Sequence, residues 1–361
     1  MGFDDHFDVE GAITRVVDEL EEKHGAEWVS ERREFLQDRL AEVVYKASKD
    51  LTPSVVQGLK RDAPEMLSDR RARRGEYREM IEEHWAEAFD LYEMVLRISF
   101  EAGTDFGESR VERLGQQRTF QILTRLHARG CRIAEEVLVL LKNGYGQGAL
   151  ARWRSLHEVT CVAMFIAKHG EEVAERYLLH DVVESCMATK AYEQCAARLG
   201  YEPLAEGELE ELQEEVERLR ARFGKAFLSQ YGWAAEVLGR DPELKKLRGF
   251  SAIEKAVALD HLRAHYRFAS HPTHANAKGV LFNPDFSGEG VLAGPSPEGL
   301  GDAGHSALIS LTQLTATLLR LDPGPSTAPI VGAMLQLEDE AGDAMLAASR
   351  ELDDRLVLDT G

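Results

Sequence analysis

The chain has 361 residues, of which 44% are apolar, and its formal net charge is −20 at pH 7. This chain is too long for one small hydrophobic core, so we expect one large domain with appendages or two domains. The acidic charge repels nucleic acid in general, so any contact with RNA requires a local basic patch. Because no apolar run approaches the roughly 20 residues of a membrane helix, no membrane association is predicted.

The first residues and the cysteines predict a cytoplasmic protein. Segment 1–11 is acidic and lacks the basic and apolar regions of a secretory signal. A myristoylation signal requires Ser or Thr at position six, where this chain has His6. The cysteines show no C-x-x-C spacing, and we interpret them as reduced side chains: Cys131, Cys161, Cys186 and Cys195.

Helical periodicity dominates residues 1–108, which we interpret as a helical N-terminal region. Pro53 and Pro64 are expected to break its helices, because proline lacks the backbone N–H that a helix uses. The basic run 69–78 (DRRARRGEYR) is typical of a solvated helix end. The segment from Gly103 to Gly107 is predicted to form a loop.

The helical core domain is predicted over 109–321, and its first helix carries a basic stripe. No acidic residue lies between Arg113 and Ala134. At about 100° per residue, four arginines fall on one narrow helix face: Arg118, Arg125, Arg129 and Arg132. This arginine stripe is suited to the phosphate groups of RNA or a nucleotide, or alternatively to an acidic helix of the same chain.

The stretch from Gly144 to Gly170 predicts a helix that is apolar nearly all the way round, as at the centre of a bundle. It nevertheless contains Arg152, Arg154, His157 and Glu158. Buried charges are costly unless they are paired or functional. Arg154 and Glu158 are four residues apart and share a face, either as a structural ion pair or as part of a site. Arg152 is a further candidate for phosphate binding.

A second polar stretch, 262–276, is the best partner for those charges. We expect a helix from Phe250 that ends near Ser270, because the residue before Pro272 is forced out of the helical region. Within twelve residues this stretch contains three histidines, two arginines, a tyrosine and a serine: Arg263, His265, Tyr266, Arg267, Ser270, His271 and His274. We expect the two stretches to form one polar site.

The remaining pattern completes an all-α helical bundle with a helical N-terminal extension and a C-terminal helix. Further helices are predicted over 171–198, 204–222 and 307–321. A loop rich in Gly, Pro and Ser is predicted over 280–304, and a linker over 322–329. A final acidic helix is predicted over 330–361.

The pattern GY…AL-x-R-x-R-S-L-H-E in the central helix is followed about a hundred residues later by Y-x-x-x-S-x-x-x-H, formed by Tyr266, Ser270 and His274. These motifs resemble a bacterial all-helical domain family of unknown function, with R-S-L-x-E and Y-x-x-x-S-x-x-x-H motifs. The resemblance covers residues 115–320 and implies no activity.

More distantly, the chain resembles the HEPN superfamily, whose bundles often carry R-x(4–6)-H as a metal-independent ribonuclease motif. Arg267 and His274 fit this spacing and straddle a turn, whereas Arg152 and His157 point about 140° apart on one helix. The resemblance implies a homodimeric endoribonuclease of toxin or phage-defence type. In it, Arg267 would stabilise the phosphorane charge and His274 would move the proton of the attacking 2′-hydroxyl. The candidate catalytic residues are Arg267, His274, Arg154, Glu158, Tyr266, Ser270 and His271.

Two other functions stay open. A non-catalytic helical protein would bind a nucleotide, an anion or a partner through the arginine stripe and the polar site. A metal-dependent enzyme would use Glu254, His261 and His265 on one helix face, with His180 and Glu184 as further ligands. No phosphate loop, dinucleotide fingerprint or nucleophile elbow is present, so no cofactor is predicted.

Overall fold

Helices form the regular structure of this chain. The computed structural model describes residues 18–359 apart from 32, 206, 275–276 and 279–292. Within these residues every named element is a helix, so the all-α class predicted from the hydrophobic periodicity is confirmed. Among the same residues, no helix combines the length and apolarity that a membrane span needs.

Two compact units make up the chain, Met1–Glu76 and Tyr77–Gly361. In the first unit, α1 spans Ala26–Glu31, and a long helix, α2, begins at Arg33 and continues into the second unit to His84. The acidic segment 1–11 lies outside the described residues, as does most of the loop predicted over 280–304.

The breaks expected at Pro53 and Pro64 are wrong, because α2 runs through both prolines. Each proline removes one helix hydrogen bond. Both rings are exposed, so water can satisfy the carbonyl groups that lose their partner. The basic run 69–78 lies inside the same helix, and its arginines are exposed.

The second unit continues with helices connected by short 3₁₀ turns, and the final helix packs on α11 and α3. The helices are as follows: α3 Ala86–Leu114, α4 Arg118–Lys142, α5 Gly146–His169, α6 Glu171–Leu199, α7 Glu208–Phe223, α8 Ala235–Arg240, α9 Phe250–Ala256, α10 Arg263–Phe268, α11 Leu300–Leu319 and α12 Thr327–Asp359.

The central helix of the bundle is α5, as its apolar surface predicts. It packs on α4 and α11 along its length and also contacts α6 and α9. Trp153, Leu156, Phe165 and Ile166 are fully buried, although they point in different directions around α5. Each such side chain stabilises the fold by about 1.5–3 kcal/mol, so this helix organises the core.

The loop predicted from Gly103 to Gly107 is wrong, because α3 runs through both glycines. A Cβ atom at Gly103 would lie 2.3 Å from the ring of His127 on α4. Gly103 therefore allows a close approach of two helices, and its small size does not mark a turn.

The continuous helix predicted from Phe250 to Ser270 is also wrong. It is divided into α9 and α10, because Ala258 takes a φ of 61° in the left-handed region. The amide of Leu259 donates to the carbonyl of Glu254 at 3.0 Å. This is the hydrogen bond of a Schellman cap, which normally has glycine at the left-handed position. The chain then turns before α10.

Candidate functional site

The structure brings the two polar stretches together on α5 and α10. The Nη1 of Arg154 donates to the hydroxyl of Ser270 at 3.1 Å, and its Nε lies 3.5 Å from Glu158 Oε1. The hydroxyl of Tyr266 donates to the same carboxylate. The guanidinium carbon of Arg154 lies 4.5 Å from the centre of the Tyr266 ring, a cation–π distance. We call these four residues the Arg154 cluster.

The Arg154 cluster opens to solvent on one side. The side chains of Arg154 and Glu158 keep 27% and 33% of their exposed surface, while Tyr266 is buried. Burial, followed by Glu158, raises the pKa of Tyr266 above its usual value. Burial also raises the pKa of Tyr231 to about 12, with a smaller contribution from Glu158. Both phenols are therefore protonated at neutral pH. Separately, a guanidinium has five N–H donors, so Arg154 keeps donors for a ligand after its bond to Ser270.

A second cluster, His157, Glu254 and Arg263, lies deeper in the bundle. The Nε2 of His157 is 2.9 Å from Glu254 Oε1, and neither side chain is exposed. Arg263 Nε is 2.5 Å from the other carboxylate oxygen. The guanidinium of Arg263 and the ring of His157 both pack on the Tyr266 ring, with separations of 5.2 and 5.8 Å. We call these three residues the His157 cluster. Its side chains pack against the Tyr266 ring on the buried side of that residue.

The partner of His157 was not predicted. Glu254 follows three apolar or small residues in α9, and an acidic side chain on the apolar face of a short helix indicates a buried partner. That signal predicts a charged or polar partner but does not identify it, because Glu254 and His157 are 97 positions apart. Cys161 lies 3.6 Å from His157 Nε2. Burial, then the nearby Glu254, raises the pKa of its thiol well above the usual value.

The alternative metal ligands do not meet. Glu254 is buried, whereas His261 and His265 are exposed on the far side of the turn at Ala258. His180 instead pairs with Glu184 at 3.2 Å. Across the described ranges of the chain, no three His, Cys, Asp or Glu side chains are grouped so that they could hold a metal ion. The single helix face that this hypothesis needs is lost where the helix ends.

The R-x(4–6)-H candidates are at the surface. Arg267 on α10 and His274 in the following turn are both exposed, and neither side chain forms a hydrogen bond or ion pair with the other or with another described residue. His271 is half-buried, and its Nδ1 is a buried atom without a hydrogen-bond partner among the described residues. Arg152 pairs with Glu136 on α4, so it points away from the buried His157.

The arginine stripe lies on α4, and its members differ. Arg118 is 4.0 Å from Glu175 on α6, so this arginine pairs with an acidic residue of the same chain. Arg125, Arg129 and Arg132 are exposed, and none has an ion-pair partner in the part of the chain that the structure describes. Three arginines of the stripe are therefore open to an external anion.

The stripe and the Arg154 cluster lie at the same height on neighbouring helices. The short turn at 143–145 makes α4 and α5 antiparallel. The ion pair between Arg152 and Glu136 fixes their register, as does the close approach of Gly130 to Leu156. This register places the C-terminal half of the stripe at the level of the Arg154 cluster along the helix axes. Arg154 itself lies about 160° around α5 from Arg152 and Leu156, which face α4.

The model of a family of unknown function, DUF5677, matches residues 120–288. The match runs from the start of α4 past α10, so it contains both polar clusters. It agrees with the resemblance of the two sequence motifs to a helical family of unknown function. No curated protein and no solved structure matches the chain.

Proposed function

We propose that the Arg154 cluster and the arginine stripe together bind RNA through its phosphate groups. The observation that carries this proposal is a set of three exposed arginines on one face of α4, none with an ion-pair partner among the described residues. They lie at the same level along the bundle as a partly exposed fourth, Arg154. Guanidinium groups match phosphate oxygens in a bidentate geometry. In a chain of net charge −20, this face supplies the local positive charge that RNA binding requires.

The contacts of Arg154 support this proposal further. Glu158, Ser270 and the ring of Tyr266 hold the guanidinium in one orientation. A side chain that is already ordered loses little conformational entropy when a ligand arrives. The carboxylate of Glu158 offsets part of the charge, so the stripe provides most of the electrostatic attraction.

The test is the binding of a fluorescently labelled single-stranded RNA, measured by anisotropy at 50, 100 and 200 mM NaCl. The variant combines Arg125→Gln, Arg129→Gln and Arg132→Gln. Its matched control makes the same charge change at three exposed, ion-paired arginines of α7: Arg218→Gln, Arg220→Gln and Arg222→Gln.

We expect the stripe variant to weaken binding at least tenfold at 50 mM salt. The slope of log affinity against log salt should fall by about 2, because each lost phosphate contact on a single strand contributes about 0.7. The α7 control should retain the affinity of the natural chain. Absence of binding by the natural chain, or equal loss in both variants, would refute the proposal.

A second candidate is a HEPN-like, metal-independent endoribonuclease that acts as a homodimer. The observation in its favour is that His271 and His274 closely follow Ser270, which accepts a hydrogen bond from Arg154. These histidines follow Ser270 by one and four residues, which supports a role in taking the proton of a 2′-hydroxyl at the proposed phosphate site. Arg267 or Arg154 would stabilise the charge that develops on phosphorus.

Incubation with total RNA, with and without EDTA, tests this second candidate. We expect cleavage that survives EDTA and falls at least a hundredfold in His274→Ala and Arg267→Ala. His261→Ala, which changes an exposed histidine on the 3₁₀ turn before α10, is the matched control. RNA binding without cleavage would contradict the nuclease candidate and support RNA binding as the function. Cleavage abolished by EDTA would indicate a metal-dependent reaction.

A further inference from the structure

A separate cleft lies where the C-terminal ends of α5, α9 and α11 meet. Its volume is about 520 Å³, within the range of sites that bind small molecules. Its walls combine apolar side chains, one hydroxyl and two cations: Met164, Val257, Leu321, Thr317, Lys168 and Arg320. No acidic side chain lines it in the described part of the chain, although acidic residues outnumber basic ones by 63 to 43 overall.

The two cations are not fully engaged by the fold. The ammonium of Lys168 donates to the carbonyl of Ala256 at 2.8 Å, which offsets the negative end of α9. A lysine has two further N–H donors. The exposed guanidinium of Arg320 donates to no helix carbonyl and pairs with no acid in the described residues. Both cations lie at helix C-termini, where the helix dipole favours positive charge, and both keep N–H donors that the described residues leave unused.

The backbone of the cleft wall is strained. Ala258 lines the cleft with a φ of 61°, in the cap position where glycine is the usual residue. Non-glycine residues in this region are uncommon and cluster at functional sites. The chain thus keeps a methyl group on the wall, although glycine would suit the backbone better.

We propose that this cleft binds a small organic anion with an apolar body. The apolar walls take the body, while Lys168 and Arg320 bind the carboxylate or phosphate group. The cleft is distinct from the proposed RNA site, because none of its lining residues belongs to the Arg154 cluster or to the arginine stripe. The proposal therefore does not depend on RNA binding.

Two dyes of nearly the same shape test the proposal by fluorescence titration of the full chain. The anionic probe is 8-anilinonaphthalene-1-sulfonate, and its uncharged counterpart is N-phenyl-1-naphthylamine. The variant combines Lys168→Gln with Arg320→Gln, and Arg218→Gln with Arg220→Gln on α7 is the charge-matched control. Ala167→Leu narrows the cleft without changing its charge. Decanoate and decyl phosphate then compete with the bound anionic dye and compare the two anionic groups.

We expect the anionic dye to bind saturably at one site. The double cation variant should weaken it at least tenfold while leaving the uncharged dye within twofold, and Ala167→Leu should weaken both dyes. If the double variant does not fold, Arg320→Gln alone tests the proposal, because this side chain forms no hydrogen bond or ion pair with the described residues. No saturable binding, an equal loss in the α7 control, or equal loss of both dyes in the cation variant would overturn the proposal.

Discussion

The buried imidazole of His127 makes the stability of the second unit depend on pH. Its Nε2 lies 3.1 Å from the Thr315 hydroxyl and 3.3 Å from that of Ser99. No acidic side chain pairs with it in the described residues. Burial lowers the pKa of His127 from its ordinary value of 6.5 to about 4, because a charged imidazole would lose its hydration without gaining a counter-ion.

The sign and size of the effect follow from proton linkage. Below pH 6.5 the unfolded chain binds a proton at this position that the folded chain does not bind, so acid favours unfolding until about pH 4. A difference of about 2.5 pKa units corresponds to about 3 kcal/mol of unfolding free energy. Between pH 7.5 and pH 4.5 the expected loss from this group is about 2–3 kcal/mol.

Urea unfolding followed by tryptophan fluorescence measures this loss, since Trp85 and Trp153 are buried in the core. His127→Gln and His127→Asn keep a neutral hydrogen-bonding group and cannot titrate. Both are expected to reduce stability at pH 7.5 through altered packing. The natural chain should nevertheless lose about 2–3 kcal/mol more than either variant when the pH falls to 4.5.

Comparing the loss of unfolding free energy in the natural chain with the loss in the variants removes the contribution of the other titrating groups. Those groups are the same in all three proteins, so they cancel in the difference. If the natural chain and both variants lost stability in parallel within about 0.5 kcal/mol, the reasoning from burial would be wrong.

Two further predictions concern backbone geometry. Ala258→Gly should raise the free energy of unfolding by up to about 1 kcal/mol, because glycine adopts the left-handed cap without the Cβ penalty; unchanged or lower stability in urea would contradict this. Gly146→Ala should lower stability by about 1–3 kcal/mol, because the new Cβ would lie 2.4 Å from the backbone oxygen of Glu298. Gly148→Ala, with its nearest neighbour at 3.6 Å, should leave the melting temperature unchanged or raise it, and equal losses in both alanine variants would contradict the steric argument.

The central helix could be predicted because two independent signals agree. Its apolar residues leave no polar face, which requires burial on all sides, and glycines bound it at 144 and 170. The observed α5 differs from this prediction by two residues at its start and one at its end. The four-residue spacings of Arg154 with Glu158 and of Tyr266 with Ser270 placed each pair on one face, and the structure shows that the two faces meet.

Other features depend on information that local periodicity does not contain. Proline and glycine signals predicted breaks in α2 and α3, but exposure of the prolines and the close approach of His127 to Gly103 decided otherwise. The end of α9 had no glycine signal, because Ala258 occupies the left-handed position. The metal hypothesis depended on that helix continuing. The pairing of His157 with Glu254 joins distant parts of the chain, so no helix period predicts it.

The buried charges packed against α5 contribute little to the stability of the bundle. Replacing a buried ion pair by well-packed apolar residues is often neutral or stabilising, whereas removing one partner typically costs about 3–5 kcal/mol. The bundle would thus gain little from His157, Glu254 and Arg263 if stability were their sole role. These residues instead hold the ring of Tyr266, whose hydroxyl bonds Glu158 and whose ring supports Arg154. Their cost is consistent with a role in fixing the guanidinium that we propose binds phosphate.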